Sequence, residues 1–163
     1  MTPAVVLAAG ASVRLGEPKQ LVTIAGETLL ERAVRAAREA GCSPVVVVLG
    51  ADAERIAEQC DLSDAVVVVN DAWSEGMASS IRVGVGALQD ADGVVLMTCD
   101  QPAVSAAHLR ALLQAFMDDP EIAHGKVLVG VVDPSDEARA DLENRLRRAG
   151  AEKIKATGRF AVA

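Results

Sequence analysis

Aromatic side chains are nearly absent from this sequence, with one Trp, two Phe and no Tyr making up 2% of 163 residues. The hydrophobic 51% must therefore build its core from Ala, Val and Leu, in a chain long enough for one well-cored domain. Positive charge is also in deficit: 16 Lys and Arg face 23 Asp and Glu, for a net charge of −7. A general binder of nucleic acid or of an anionic membrane needs a basic surface, so no nucleic-acid and no membrane partner is expected. Any polyanion has to be met by a local cationic pocket, which suits a small nucleotide better than a duplex. No apolar run approaches the ~18 residues of a membrane span, and no charged-then-apolar leader is seen. A cytoplasmic location is the expectation.

Cysteine is scarce and odd in number. Cys42, Cys60 and Cys99 are too widely spaced for a disulfide framework or a zinc motif, and Cys42 and Cys60 read as ordinary reduced thiols. His108 and His124 have no partner at ligand spacing. What the sequence does have is a stretch of small residues and two cations, Leu7 to Lys19 (LAAGASVRLGEPK), directly after the apolar run Ala4-Val5-Val6-Leu7. Backbone N–H groups approach an anion closely where side chains are absent, and open α/β sheets place phosphates at the carboxyl end of the first strand. Arg14 and Lys19 add fixed charge there, and Gly10 and Gly16 free the backbone to turn. The spacing matches neither G-x-x-x-x-G-K-[ST] nor G-x-G-x-x-G. Taken alone, the loop is equally a nucleotide-phosphate site or a βα turn bearing two solvated cations.

Strand and helix patterns alternate along the chain. A helical repeat of Leu29, Ala33, Ala36, Ala37 and Ala40 ends at Gly41, and Pro44 to Leu49 forms an unbroken β-branched run. A short helix over Asp52 to Gln59 and a third buried strand over Ala65 to Val69 follow. Helices are expected over about 78–88 and 105–117, the latter capped by Ser105, with a fourth strand over Gly93 to Met97 between them. The last third is weaker: a strand over Lys126 to Val132, a helix over Ser135 to Ala149 and a strand over Arg159 to Val162. The pattern predicts an α/β fold with a mainly parallel sheet and right-handed crossovers.

Three polar sets fall just after strand ends: the opening loop, Asn70 to Met77, and Asp100-Gln101-Pro102. In a doubly wound sheet these loops share one edge, where ligands bind. Asp100 offers a hard carboxylate oxygen for Mg²⁺ beside phosphates, or else it caps a turn ahead of Pro102. Gln101 can position a polar ligand through its amide. Ser79 and Ser80 can offer hydroxyls and N–H groups, or are simply the first residues of a helix, and Trp73 is either a loop anchor or a stacking surface.

These motifs, LAAGASVRLGEPKQL, the Val-rich strand with Gly50, Asn70-x-x-Trp73-x-x-Gly76-Met77-x-x-Ser80 and Cys99-Asp100-Gln101-Pro102, occur in order over about residues 4–117. In this they resemble the MobA-like nucleotidyltransferases of molybdenum cofactor maturation, and most the cytidylyltransferase branch. The resemblance implies a Rossmann-like nucleotidyltransferase fold, a three-layer sandwich with a mainly parallel sheet. It implies an enzyme that transfers CMP from CTP to molybdopterin with Mg²⁺ and releases pyrophosphate. By position, Leu7, Ala8, Ala9 and Gly10 would border base and ribose, and Arg14 and Lys19 would hold the triphosphate. Asp100 would bind the metal, and Asn70, Gly76, Ser80 and Gln101 would complete the nucleotide site. Ala9 favours CTP over GTP, because the guanylyl branch more often has Gly there. A molybdoenzyme or its maturation chaperone is the implied macromolecular partner. Arg14, Lys19 and Asp100 suffice as catalytic groups, since the acceptor phosphate is itself the nucleophile.

Beyond about Asp118 the family motifs stop. The Gly-, His- and Pro-bearing acceptor segment and the late Asp-x-Asp-Thr-Pro stretch are absent, and Asp133-Pro134-Ser135-Asp136 resembles the latter only faintly. Residues 1–117 thus read as the nucleotidyltransferase core and 118–163 as a βαβ-like tail on the same sheet. The alternative function is an inactive, chimeric or engineered α/β domain that keeps only the nucleotide-binding half-site.

Overall fold

Val5 and Val6 are completely buried because the first strand is flanked on both edges and covered on both faces. The computed structural model describes residues 1–12, 15–88, 91 and 93–118, with the backbone of 128–129, 155–157 and 160–162. Strand β1 (Ala4–Ala8) leads through a 3-10 turn at Lys19–Leu21 and a hairpin, β2 (Thr23–Ile24) and β3 (Glu27–Thr28), into α1 (Leu29–Glu39). Then come β4 (Val45–Leu49), α2 (Ala53–Gln59), β5 (Val66–Val69), a 3-10 turn at Trp73–Glu75, α3 (Met77–Gly86), β6 (Val95–Thr98) and α4 (Ala106–Met117). The described strands end with β7 (Leu128–Val129), β8 (Lys155–Thr157) and β9 (Phe160–Val162).

The main sheet has the order β5-β4-β1-β6-β7, and every pairing in it is parallel. Val6 lies opposite Val47 on one side and Met97 on the other. Because side chains alternate across the sheet, two cores result. Ala4, Val6 and Ala8 pack with Leu30, Ala33, Ile56, Leu109 and Leu112 from α1, α2 and α4. Val5, Val46, Val48 and Leu96 pack with Ile81 of α3 on the opposite face. This is the expected three-layer α/β sandwich. The close approach of α3 requires Gly84, where an added Cβ would collide with the Val5 side chain and lie 2.8 Å from Cγ2 of Val48.

Helix ends follow local chemistry. Thr28 and Glu31 form a capping box on α1, and Glu31 also accepts the Asp61 N–H at 2.9 Å. At its other end Gly41 adopts φ 93°, with Cys42 N–H on the Ala37 carbonyl and Gly41 N–H on that of Arg38, a Schellman motif. Ser105 caps α4 as expected, and His108 completes the box by accepting the Ser105 N–H. Helix α3 runs from Met77 to Gly86, and β6 sits one to two residues later than the pattern predicts.

One expectation is corrected. Residues 65–69 are not a buried strand: β5 is the sheet edge, with Val66 49%, Val67 39% and Val69 53% exposed. A run of valines has the same appearance whether covered on two faces or open on one edge, so the run alone does not separate the cases. In the last third, Leu128–Val129 joins the main sheet beside β6, while Phe160–Val162 forms an antiparallel hairpin with β8 instead. The expected helix over 135–149 and the Asp133–Asp136 stretch lie outside the described residues, as does His124.

The β2–β3 hairpin, which the residue pattern does not announce, turns on Ala25 and Gly26 with φ of 54° and 84°. A two-residue turn of this kind favours Asn-Gly, and an alanine there carries the strain of a Cβ in the left-handed region. Ala25→Asn is expected to stabilise the fold by about 0.5–1 kcal/mol. A shift of the urea midpoint to higher concentration at unchanged slope checks this.

Candidate functional site

At the carboxyl edge of the sheet, the strand order reverses between β1 and β6. Crevices at such a switch point are where open α/β sheets bind ligands. A cavity of about 430 Å³ opens there, walled by Leu7 to Ala11, Lys19, Trp73, Gly76, Met77, Ser80, Thr98 and Asp100 among others. The three polar sets predicted from sequence therefore meet in one place.

Lys19 and Asp100, 81 residues apart, are joined by a 2.6 Å ion pair at the cavity wall. Their side chains are 37% and 38% exposed, so the pair is in contact with solvent. Partial burial pushes the Asp100 carboxyl up. Hydrogen bonds from Lys19 and Thr98 and the lysine charge outweigh that, and its pKa lies below the ordinary value. Asp100 is thus an anion at neutral pH. The Lys19 backbone N–H is held by the Ser12 hydroxyl at 2.8 Å.

The wall from α3 is set by a buried amide. Asn70 is 2% exposed and donates to the Ser79 and Ser80 hydroxyls at 2.8 and 3.0 Å, while its carbonyl oxygen accepts the Ala72 N–H. The structure places Asn70 behind the cavity wall, where it holds Ser80, and not on the cavity surface. Gln101 also lies off the lining, whereas Leu7, Ala8, Ala9, Gly10, Lys19, Gly76, Ser80 and Asp100 all face the same space. Arg14 lies outside the described residues.

Residues that sequence reasoning passed over complete the wall. Gln20 is fully buried beneath the loop, the Ser12 hydroxyl accepts the Lys19 backbone N–H, and the Thr98 side chain hydrogen-bonds the Asp100 carboxylate. A glutamine after a lysine in a polar turn carries no mark of burial, so no pattern could have selected it. Gly50 admits Trp73: an added Cβ would lie 2.6 Å from Cβ of Trp73 and 2.7 Å from the Ala9 carbonyl oxygen. Cys99 packs in the core. Burial pushes its thiol up to about 12 with help from the Asp100 charge, and Cys42 up to about 11, so neither supplies a thiolate. Among the described residues no three His, Cys, Asp or Glu side chains gather as a metal cage.

A doubly wound sheet whose switch-point crevice pairs a lysine with an acidic residue beside a small-residue loop defines a nucleotide-handling α/β domain. The chain belongs to the family of MobA-like NTP transferase domains, which it matches over residues 4–155. That match continues past residue 117, where the motifs read from sequence end, and nothing in it supports a chimeric origin. Among relatives, the chain is 40% identical over 110 residues to nicotine blue oxidoreductase of Paenarthrobacter nicotinovorans, covering 67% of this chain and 54% of that one. It is 36% identical over 113 residues to a probable molybdenum cofactor guanylyltransferase of Opitutus terrae, covering 68% and 53%. Rv0371c of Mycobacterium tuberculosis, solved as a complex with manganese, superposes with a TM-score of 0.60 at 35% identity, covering 70% of this chain and 58% of that one. The chain spans about half the length of these two curated relatives.

Gly50→Ala is expected to destabilise the protein by about 1–3 kcal/mol, because backbone and an indole, not a flexible tip, stand in the way. The denaturant midpoint should fall accordingly. An unchanged midpoint would show that Trp73 and the Ala9 carbonyl give way freely.

Proposed function

We propose that this chain carries the nucleotide-binding part of a Mg²⁺-dependent nucleotidyltransferase that joins a nucleoside monophosphate to a molybdopterin-type phosphate. The observation that carries the reading is the Lys19–Asp100 pair at the switch-point cavity. In the reaction an oxygen of the acceptor phosphate attacks the α-phosphorus, the bond to the β-phosphate bridging oxygen breaks, and pyrophosphate leaves. Negative charge gathers on the phosphates, so the protein's task is alignment and charge compensation. Lys19, with Arg14, serves the triphosphate. Leu7 to Gly10 present backbone to the base and ribose, and Ser80 and Gly76 close the opposite wall.

The donor set suits magnesium: Asp100 is an ionised hard-oxygen ligand, and Mg²⁺ takes one or two carboxylates while keeping waters and phosphate oxygens. Asp100 would hold it, and the ion would supply charge neutralisation on the phosphates. Ala9 favours CTP, while the relative named as a guanylyltransferase makes GTP the competitor to test. Calorimetry with each nucleotide, with and without Mg²⁺, followed by pyrophosphate release with a molybdopterin acceptor, is the direct assay. Mg²⁺-dependent CTP binding with release is expected. Binding of neither CTP nor GTP sinks the reading.

A second reading follows from the relative named as an oxidoreductase. In that reading the same cradle would hold a redox dinucleotide in place of a nucleoside triphosphate. Binding of NADPH to the exclusion of CTP and GTP would select it.

Because the Lys19 ammonium is hydrogen-bonded to Asp100, it competes with a metal ion for the carboxylate. Lys19→Met should therefore raise the affinity for Mn²⁺ alone several-fold and weaken CTP binding by about tenfold. Asp100→Asn should lower Mn²⁺ affinity, and an unchanged value would remove Asp100 as the ligand.

A further inference from the structure

Gln20 is wholly buried although it sits in a three-residue surface turn whose neighbour Lys19 reaches solvent. Its Nε2 donates to the Ala8 carbonyl at 2.6 Å and to the Gly10 carbonyl at 3.2 Å, on the residues either side of Ala9. The amide therefore ties the end of β1 to the turn that carries Lys19. Both N–H groups face carbonyls, so the orientation is fixed: a flipped amide would set oxygen against oxygen. Its Oε1 is buried and has no hydrogen-bond partner among the described residues.

The consequence falls on Lys19. In a 3-10 turn successive side chains are about 120° apart, so an inward anchor at one residue fixes the bearing of the next. Leu21, the third residue, packs against the core and holds the other side of the turn. The Lys19 N–H is fixed on Ser12, and its Nζ then arrives at Asp100. We infer that Gln20 is a positioning residue that sets the Lys19 ammonium in the cavity by bracing its turn against the Ala8 and Gly10 carbonyls. This rests on the reading that Lys19 binds the phosphates.

The test is a double-mutant cycle on the affinity for CTP and for inorganic tripolyphosphate, measured by calorimetry in wild type, Lys19→Met, Gln20→Met and the double variant. Gln20→Met is expected to weaken tripolyphosphate binding by about tenfold with Lys19 present and by less than about twofold with Lys19 replaced. Equal losses in the two backgrounds, or no loss in either, overturn the inference. An unchanged affinity in Lys19→Met alone overturns instead the phosphate reading beneath it. Gln20→Asn keeps the amide on a stem one methylene shorter and carries the same cycle if the Met variant does not fold; its loss should likewise vanish without Lys19.

Discussion

Everything in this structure depends on β1 being shut in on four sides. With β4 and β6 on its edges and helices on both faces, Ala4 to Ala8 has no contact with water except around Leu7. A strand so enclosed tolerates only apolar residues, and its backbone polar groups are satisfied by the two parallel ladders. At its carboxyl end β1 stands where the order of the sheet divides, to β4 on one side and to β6 on the other. The cavity is the space left by that parting. The small residues of the opening loop follow from the same geometry: Ala8, Ala9 and Gly10 lie where backbone is closely approached by Gln20, Gly50 and Trp73.

Electrostatics then act on a frame that is already fixed. In an acidic protein the cavity gathers cationic Lys19 against anionic Asp100, each partly wet, each satisfied by the other. Such a partly exposed pair adds little to stability. Buried amides do the holding: Asn70 fixes the serines of α3 and Gln20 fixes the turn of Lys19. The residues that shape the cavity without facing it are as necessary to it as those that line it.

The sheet and its ligand edge were legible because they rest on periodicity: the valine run of β4, the helical spacing of α1 with Gly41 behind it, and polar residues directly after β1, β5 and β6. Lys19 and Asp100 stood out in the sequence because a cation and a carboxylate in loops after strands have few structural duties, and the structure brings the two side chains together. What escaped belongs to tertiary context. The openness of β5 depends on which strand stands at the edge, a matter of order and not of composition. Gln20 looks like any polar turn residue until β1 places two carbonyls over it. Asn70 was assigned to the ligand for the right reason, its place after a strand, but its amide is consumed by Ser79 and Ser80.

The scarcity of aromatic residues gains a meaning from where the single tryptophan stands. Trp73, half-buried on the cavity wall and braced by Gly50, is the only indole in a chain that has no tyrosine at all. The protein's ultraviolet emission therefore originates at one point beside Lys19 and Asp100. A ligand entering there changes the surroundings of the whole signal, while events elsewhere in the sheet leave it quiet. The molecule thus carries its own optical gauge, set in the wall of the switch-point cavity.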